Sequence, residues 1–111
     1  MTDPLVYSST VSPDDWEAFE VGEVHWIRRR DQESGFLEVG LWRATPEQQP
    51  GIHEAVFEHD ETVHILRGHV QVEVVGGPIL ELKEGSVASF VKGTTGRWKI
   101  VEPVLELFVY H

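Results

Sequence analysis

The feature that most constrains this chain is a succession of short apolar segments separated by residues typical of turns. Residues 69–75 show the pattern best, because polar side chains alternate there with valines. This alternation places successive side chains on opposite faces of a β-strand, and the Gly-Gly-Pro sequence at 76–78 then ends the strand. Segments of this strand-like character occupy residues 23–28, 36–43, 52–57, 61–66, 69–75, 79–82, 86–91, 97–101 and 104–110.

About eight short strands with regular turns predict one all-β domain, which is either a β-sandwich or a small barrel. The chain has 111 residues, a length at which one hydrophobic core is usual. A small barrel is wide enough to hold one small ligand in its interior. The pattern therefore predicts both the fold class and a place for a site.

The N-terminal part of the chain does not share this strand pattern. Residues 1–11 are expected to form an extended arm. Ser12 is a favourable N-cap, Pro13 suits the first helical position, and the acidic residues that follow favour the positive end of a helix. We therefore expect a short helix of one or two turns, or a simple turn, over residues 12–19. We divide the chain into an arm with a short helix (1–22) and a barrel (23–111).

Composition and charge exclude several classes of function. The formal net charge of −10 repels phosphate backbones and anionic membranes, so nucleic acid and membrane surfaces are not expected partners. There is no cysteine, which excludes thiolate chemistry and leaves His, Asp and Glu as the principal metal-binding residues. No apolar run is long enough for a transmembrane helix. The first residues lack a signal-peptide pattern, so a cytoplasmic location is the expectation.

Several spacings resemble a known family. Glu61 is followed, after six residues, by Gly68, and Gly85 begins a second run that continues through Val91, Gly93 and Gly96. Residues 40–46 (GLWRATP), 60–62 (DET) and 98–104 (WKIVEPV) strengthen the likeness. Together these features resemble the small single-domain cupins related to ureidoglycine aminohydrolase and to the ethanolamine-utilisation cupin. The resemblance implies a cupin-type double-stranded β-helix, or jelly-roll barrel, that forms a homodimer and holds a divalent metal in its pocket.

This chain departs from the family at the metal site itself. The metal-binding pattern places histidines seven and five positions before the glutamate, where this chain has Glu54 and Val56. A shorter spacing would place them at Ala55 and Phe57, and the last family histidine corresponds to Gly96. Only Glu54 among these residues has a side chain that can coordinate a metal. The resemblance therefore indicates a degenerate metal site.

Other residues could still hold an ion. His59 lies two positions before Glu61 and projects to the same side if the chain is extended there, whereas His53 should point away from its neighbour Glu54. A set of His59, Glu61 and Glu54 would be small, because a tightly held ion usually needs three or more protein ligands. The expectation is no cofactor, or a weakly bound divalent metal.

Glu61 is the candidate catalytic residue, with two interpretations. It could be a structural carboxylate at the start of a strand, or a pocket residue whose raised pKa makes it a general base. Glu54 is its candidate partner, and two nearby carboxyl groups could bind an amine or exchange protons with one. Trp42 and Trp98 are either core residues or pocket walls. Glu106 replaces a basic residue of some relatives, which makes an acidic pocket possible.

Three functions remain open at this point. The first is a binding module that holds a small organic molecule without a full metal site. The second is a metal-dependent hydrolase, isomerase or lyase acting on a small amine or ureido compound. The third is a mainly structural homodimeric protein, since exposed strand edges need cover. The missing ligands and the absence of a cysteine nucleophile favour the binding module.

Overall fold

The computed structural model describes residues 5–29 and 37–111, which form eight β-strands and no helix. The all-β prediction is therefore confirmed. The described residues contain no helix that could cross a membrane. The strands are β1 Glu17–Ala18, β2 Glu23–Arg28, β3 Glu38–Ala44, β4 Ile52–Val56, β5 Glu61–Val74, β6 Ile79–Lys83, β7 Val87–Phe90 and β8 Thr95–Tyr110.

Two long strands, β5 and β8, organise the sheet. They pair antiparallel from Glu61↔Tyr110 at one end to Val74↔Gly96 at the other. The first half of β5 and the second half of β8 are flanked by β7 on one side and by β3, β2 and β1 on the other. The remaining halves are flanked by β6 and β4. Each long strand thus belongs to both parts of a branched antiparallel sheet that surrounds one core.

The bend between these two parts lies at Gly68 and Pro103. Gly68 has a φ of 91°, and a β-carbon there would collide with the carbonyl group of Pro103. The β5–β8 register shifts repeatedly between Ile65 and Val70, and an irregularity of this kind tolerates a proline, which has no N–H to donate. The sequence predicted four strands over 61–75 and 97–110. The structure has two long strands there, β5 and β8, because Gly68 and Pro103 bend these strands without ending them.

Of the short helix or turn predicted near the N-terminus, the structure has the turn and not the helix. The segment makes a single turn, in which the Asp15 N–H donates to the Ser12 carbonyl at 3.2 Å. Trp16 then packs 5.9 Å from the buried His25 ring, the Arg43 guanidinium lies 4.2 Å above the Trp16 ring, and β1 pairs with β2. A short helix is unstable by itself, so these tertiary contacts override the local capping signals.

The core lies between the two parts of the sheet and contains an aromatic cluster. Phe57 stacks on Phe90 with ring centroids 4.5 Å apart, and Trp98 contacts both rings. Phe57 and Trp98 also line the internal cavity, whereas Phe90 does not. This cluster therefore joins part of the core to the wall of the cavity. The other buried apolar residues are Val24, Trp42, Ala44, Val63, Ile65, Val70, Val72, Leu82, Ile100, Val104 and Phe108.

Candidate functional site

A cavity of about 580 Å³ lies inside the barrel. Its volume falls within the range of about 300–1,000 Å³ that is usual for small-molecule sites. Strands β2, β3, β4, β5 and β8 all contribute to its wall. The lining residues among those described are Phe19, Glu20, Val21, Trp26, Arg29, Glu38, Trp42, Gln49, His53, Glu54, Ala55, Val56, Phe57, Glu58, His59, Glu61, Trp98, Ile100, Glu106, Phe108 and Tyr110.

Strand alternation brings two glutamates to the interior. Glu106 precedes Phe108 and Tyr110 on the inward face of β8, and its cross-strand neighbour on β3 is Trp42. Glu61 begins β5 and lies opposite Tyr110. Side chains two residues apart share a face of a strand, so the buried Phe108 fixes the inward direction of Glu106. The register of three strands thus places both carboxyl groups at one cavity.

Both interior carboxyl groups have raised pKa values. Burial raises the pKa of Glu61 to about 7. Glu106 is 2% exposed, and its pKa lies well above the usual value, first because of burial and second because of the charge on Glu61. Its Oε2 atom has no hydrogen-bond partner among the described residues. Burial, followed by the charges of Glu61 and Glu106, also raises the pKa of the Tyr110 hydroxyl.

Two basic side chains of the described cavity wall, Arg29 and His53, have other partners. Arg29 Nε lies 3.7 Å from a carboxylate oxygen of Glu38, and its guanidinium lies 4.7 Å from the centre of the Trp26 ring. His53 Nε2 lies 3.8 Å from Glu20 Oε1. Within residues 5–29 and 37–111, no basic side chain forms an ion pair with either interior glutamate. The deep part of the cavity is therefore acidic.

The residues proposed from sequence occupy different places. Glu61, Trp42 and Trp98 all line the cavity. Trp42 is also a core residue, and its indole N–H donates to the Val21 carbonyl at 2.6 Å. The ring of Trp42 thus lies in the core and also borders the cavity.

Glu54 borders the cavity without directing its charge into it. Its carboxylate is exposed on the outer face, where it accepts a 2.8 Å hydrogen bond from Arg97 Nε. His53 and Ala55, its neighbours on β4, are less exposed and line the cavity. His59 also lines the cavity, with its ring centroid 6.0 Å from that of Tyr110. Glu61, Glu54 and His59 thus all touch the cavity, but the Glu54 carboxylate turns away from it.

The metal implied by the resemblance does not fit the side chains at this site. Alternation along β4 directs Ala55 inward, Phe57 is buried just beyond the strand, and neither side chain can coordinate a metal. Gly96 pairs with Ala55, and a β-carbon added there would lie 3.1 Å from the Phe57 ring. Aromatic carbon thus occupies the space beside these positions. No group of three or more potential metal ligands is found among the described residues.

Sequence reasoning missed part of the wall. Tyr110, Glu38 and Trp26 were not identified as site residues, and Glu106 was noted only as an acidic substitution. A signal was present, because Glu106 lies between Val104 and Phe108 on the apolar face of a predicted strand. An acidic residue on an otherwise apolar strand face indicates either a buried partner or a pocket.

The fold and the cavity define a small cupin barrel, and the sequence places it in a family. Residues 31–106 match the model of the EutQ-like cupin domain, and the chain belongs to this family. A comparison with curated proteins gives no significant match.

Solved structures show the same fold. A DUF861 family protein from Thermotoga maritima is 27% identical and has a TM-score of 0.56, over 64% of this chain and 76% of that one. A putative ethanolamine utilization protein Q from Salmonella typhimurium is 17% identical, with a TM-score of 0.67 over 86% and 76% of the two chains. Ectoine synthase from P. lautus is 14% identical, with a TM-score of 0.70 over 86% and 67%. The predicted cupin-type jelly-roll barrel is thus confirmed.

Proposed function

We propose that the protein binds a small organic molecule in the barrel cavity and does so without a full cupin metal site. The observation that carries this proposal is the cavity itself, in which the half-buried Glu61 and the buried Glu106 lie beside several aromatic rings. Ligand sites are typically apolar pockets with a few polar groups that fix orientation. The ureidoglycine aminohydrolase resemblance extends this proposal to small amine or ureido compounds.

Each part of the wall has a distinct role in such binding. Glu106 is almost completely buried and provides an acceptor atom that the described residues do not use. Glu61 is less buried and provides the second carboxyl group. Trp42 is held by its hydrogen bond to Val21, so its ring forms a rigid wall that costs little entropy on binding. Together they would orient a ligand with one polar group and an apolar body.

Any metal at this site would be sub-stoichiometric in our proposal. Two protein ligands leave most of a coordination shell to water, and water competes well for a weakly chelated ion. A site built on Glu61 with His59 or Glu54 would therefore lose its ion during purification. No step of the proposed binding depends on a metal.

A second candidate function is proton-transfer catalysis on a small amine or ureido compound. The specific observation in its favour is the Glu61 pKa of about 7, which is close to the optimum for a general acid or base at neutral pH. Glu61 would remove or donate the proton, and Glu106 would hold the substrate. Turnover of a bound compound that is lost in Glu61→Gln, with binding retained, would distinguish this function from simple binding.

The proposal is tested by ligand-observed NMR with a fragment set that contains cationic, neutral and anionic compounds. Compounds that bind are then mapped by amide shift changes in a uniformly labelled sample. We expect changes at Ala55, Ile100 and Phe108, which line the cavity, and none at Glu81 or Val87, which do not. A set in which no compound shifts the cavity amides would reject the proposal.

A further inference from the structure

We infer that the group recognised in the cavity is an organic ammonium ion, such as a protonated amine, which Glu106 and Glu61 hold among aromatic rings. This inference rests on the proposed binding function and names the chemical class of its ligand. It depends on three features of the described residues: an unused buried acceptor, an excess of acidic groups and a wall that contains seven aromatic rings.

The unused acceptor is the Oε2 atom of Glu106. This side chain is 2% exposed and lines the cavity, yet the atom has no hydrogen-bond partner among the described residues. A buried polar atom without a partner costs about 1–3 kcal/mol, and more when it is charged. A ligand that donates a hydrogen bond to Oε2 recovers this cost. An ammonium ion carries such donors and a charge that strengthens the bond.

The charge of the cavity selects a cation over a neutral or anionic ligand. Arg29, a cation of the described wall, already contacts Glu38 and Trp26, which leaves Glu61 and Glu106 without a basic partner in the described chain. An anion would meet the charge of Glu61 in a region of low dielectric, where repulsion is strong. A cation would instead stabilise the ionised form of both carboxyl groups.

The aromatic wall selects an organic ammonium ion over a metal ion. Six of the described lining residues are Phe or Trp, and Tyr110 adds a seventh ring. Aromatic faces attract organic cations through their negative electrostatic potential, but they are not the oxygen or nitrogen ligands that a divalent metal requires. The ring of Trp42 lies beside Glu106 in the β3–β8 register. The nitrogen can thus meet a carboxylate while the organic part meets the rings.

The inference is tested with three probes that share one ring and differ in charge: benzylamine, benzyl alcohol and benzoate. Binding is measured on the full chain at pH 8 by titration of the cavity amides in NMR spectra. We expect benzylamine to bind at least tenfold more tightly than benzyl alcohol, and benzoate to bind most weakly. This ranking needs no variant and is independent of any folding defect.

Two variants locate the recognition within the cavity. Glu106→Gln keeps the shape of the side chain but cannot ionise when an ammonium ion binds, so benzylamine affinity should fall at least tenfold while benzyl alcohol affinity stays within twofold. Glu54→Gln is the matched control, because Glu54 borders the same cavity but directs its carboxylate to Arg97. Benzylamine affinity should be unchanged in this control.

Specific outcomes would overturn the inference. Benzyl alcohol or benzoate binding as tightly as benzylamine would do so, as would an unchanged benzylamine affinity in a folded Glu106→Gln protein. If the fragments that map to the cavity are neutral or anionic and benzylamine does not bind, the ammonium inference fails while the binding function stands. If no compound of any charge maps to the cavity, the proposed function itself fails.

Discussion

Replacing Glu61 with glutamine should stabilise this protein at neutral pH. The wild-type carboxyl group is buried, and its pKa rises from 4.5 in the unfolded chain to about 7 in the folded one. Between these values the folded state keeps a proton that the unfolded state has already released. The free energy of unfolding therefore falls as the pH rises through this window, and the contribution of the neutral carboxyl group is complete only below about pH 4.5.

The size of this effect follows from the two pKa values. Each tenfold change in proton affinity corresponds to about 1.4 kcal/mol, so a rise from 4.5 to about 7 corresponds to about 3 kcal/mol. Glutamine has nearly the same shape and does not ionise, so the variant should escape this loss. Relative to wild type, Glu61→Gln should therefore gain about 3 kcal/mol between pH 4 and pH 8. The loss from Glu106 has the same direction, and it is smaller in the variant because the charge on Glu61 no longer raises the pKa of Glu106.

The assay is urea unfolding of both proteins at a series of pH values and at one protein concentration. The informative quantity is the difference in unfolding free energy between variant and wild type as a function of pH, because titrating groups that do not interact with Glu61 cancel in it. Glu54→Gln is the control, since its exposed pair with Arg97 contributes less than about 1 kcal/mol. A difference for Glu61→Gln that stays constant within about 0.5 kcal/mol, or that changes in the opposite direction, would refute the reasoning.

Four other predictions concern the bend, the assembly, the metal and the ligand. Gly68→Ala should lower the free energy of unfolding in urea by about 3 kcal/mol or more, because strain at positive φ adds to a backbone collision. The control Gly85→Ala is also at positive φ but in open space, so it should cost much less. Sedimentation at micromolar concentration should show a homodimer, because Ile52 and Val56 on β4 are 61% and 58% exposed; a species of only 12.6 kDa would exclude it. Elemental analysis after purification without chelators or nickel should find well below one transition metal per chain. Benzylamine affinity should increase about tenfold from pH 6 to pH 8 as Glu61 ionises, and a flat profile would contradict its role.

Local patterns predicted the positions of the strands better than they predicted which face of each strand points to the interior. The β2 segment 23–28 was predicted with its observed bounds, because its alternation and its flanking residues indicate the same strand ends. The face of β4 could not be read in the same way, since residues 52–57 contain apolar side chains at both parities. Glu54 was predicted to lie in the pocket from the family spacing alone, although its neighbour His53 faces the cavity more directly.

Long-range pairing determined what local patterns could not. The role of Glu106 depends on the register of β8 with β3 and β5, which brings it to Trp42 and to the cavity that Glu61 enters. No feature within a few residues of Glu106 specifies that register. The helix expected over residues 12–19 does not form for a related reason, since the contacts of this segment with β2 and β3 stabilise it more than helix capping would.

The shared strands β5 and β8 also suggest an order of assembly. Their closest pair in sequence, Val74↔Gly96, encloses a short loop, whereas Glu61↔Tyr110 joins residues at the far ends of the two strands. Because closing a longer loop costs more entropy, we expect pairing to begin near Val74 and to extend past the Gly68 bend. The end of the cavity that contains the carboxyl groups of Glu61 and Glu106 would then form last. Substitutions there should accelerate unfolding and leave the folding rate nearly unchanged, so this part of the barrel can vary in sequence without obstructing the path by which the chain folds.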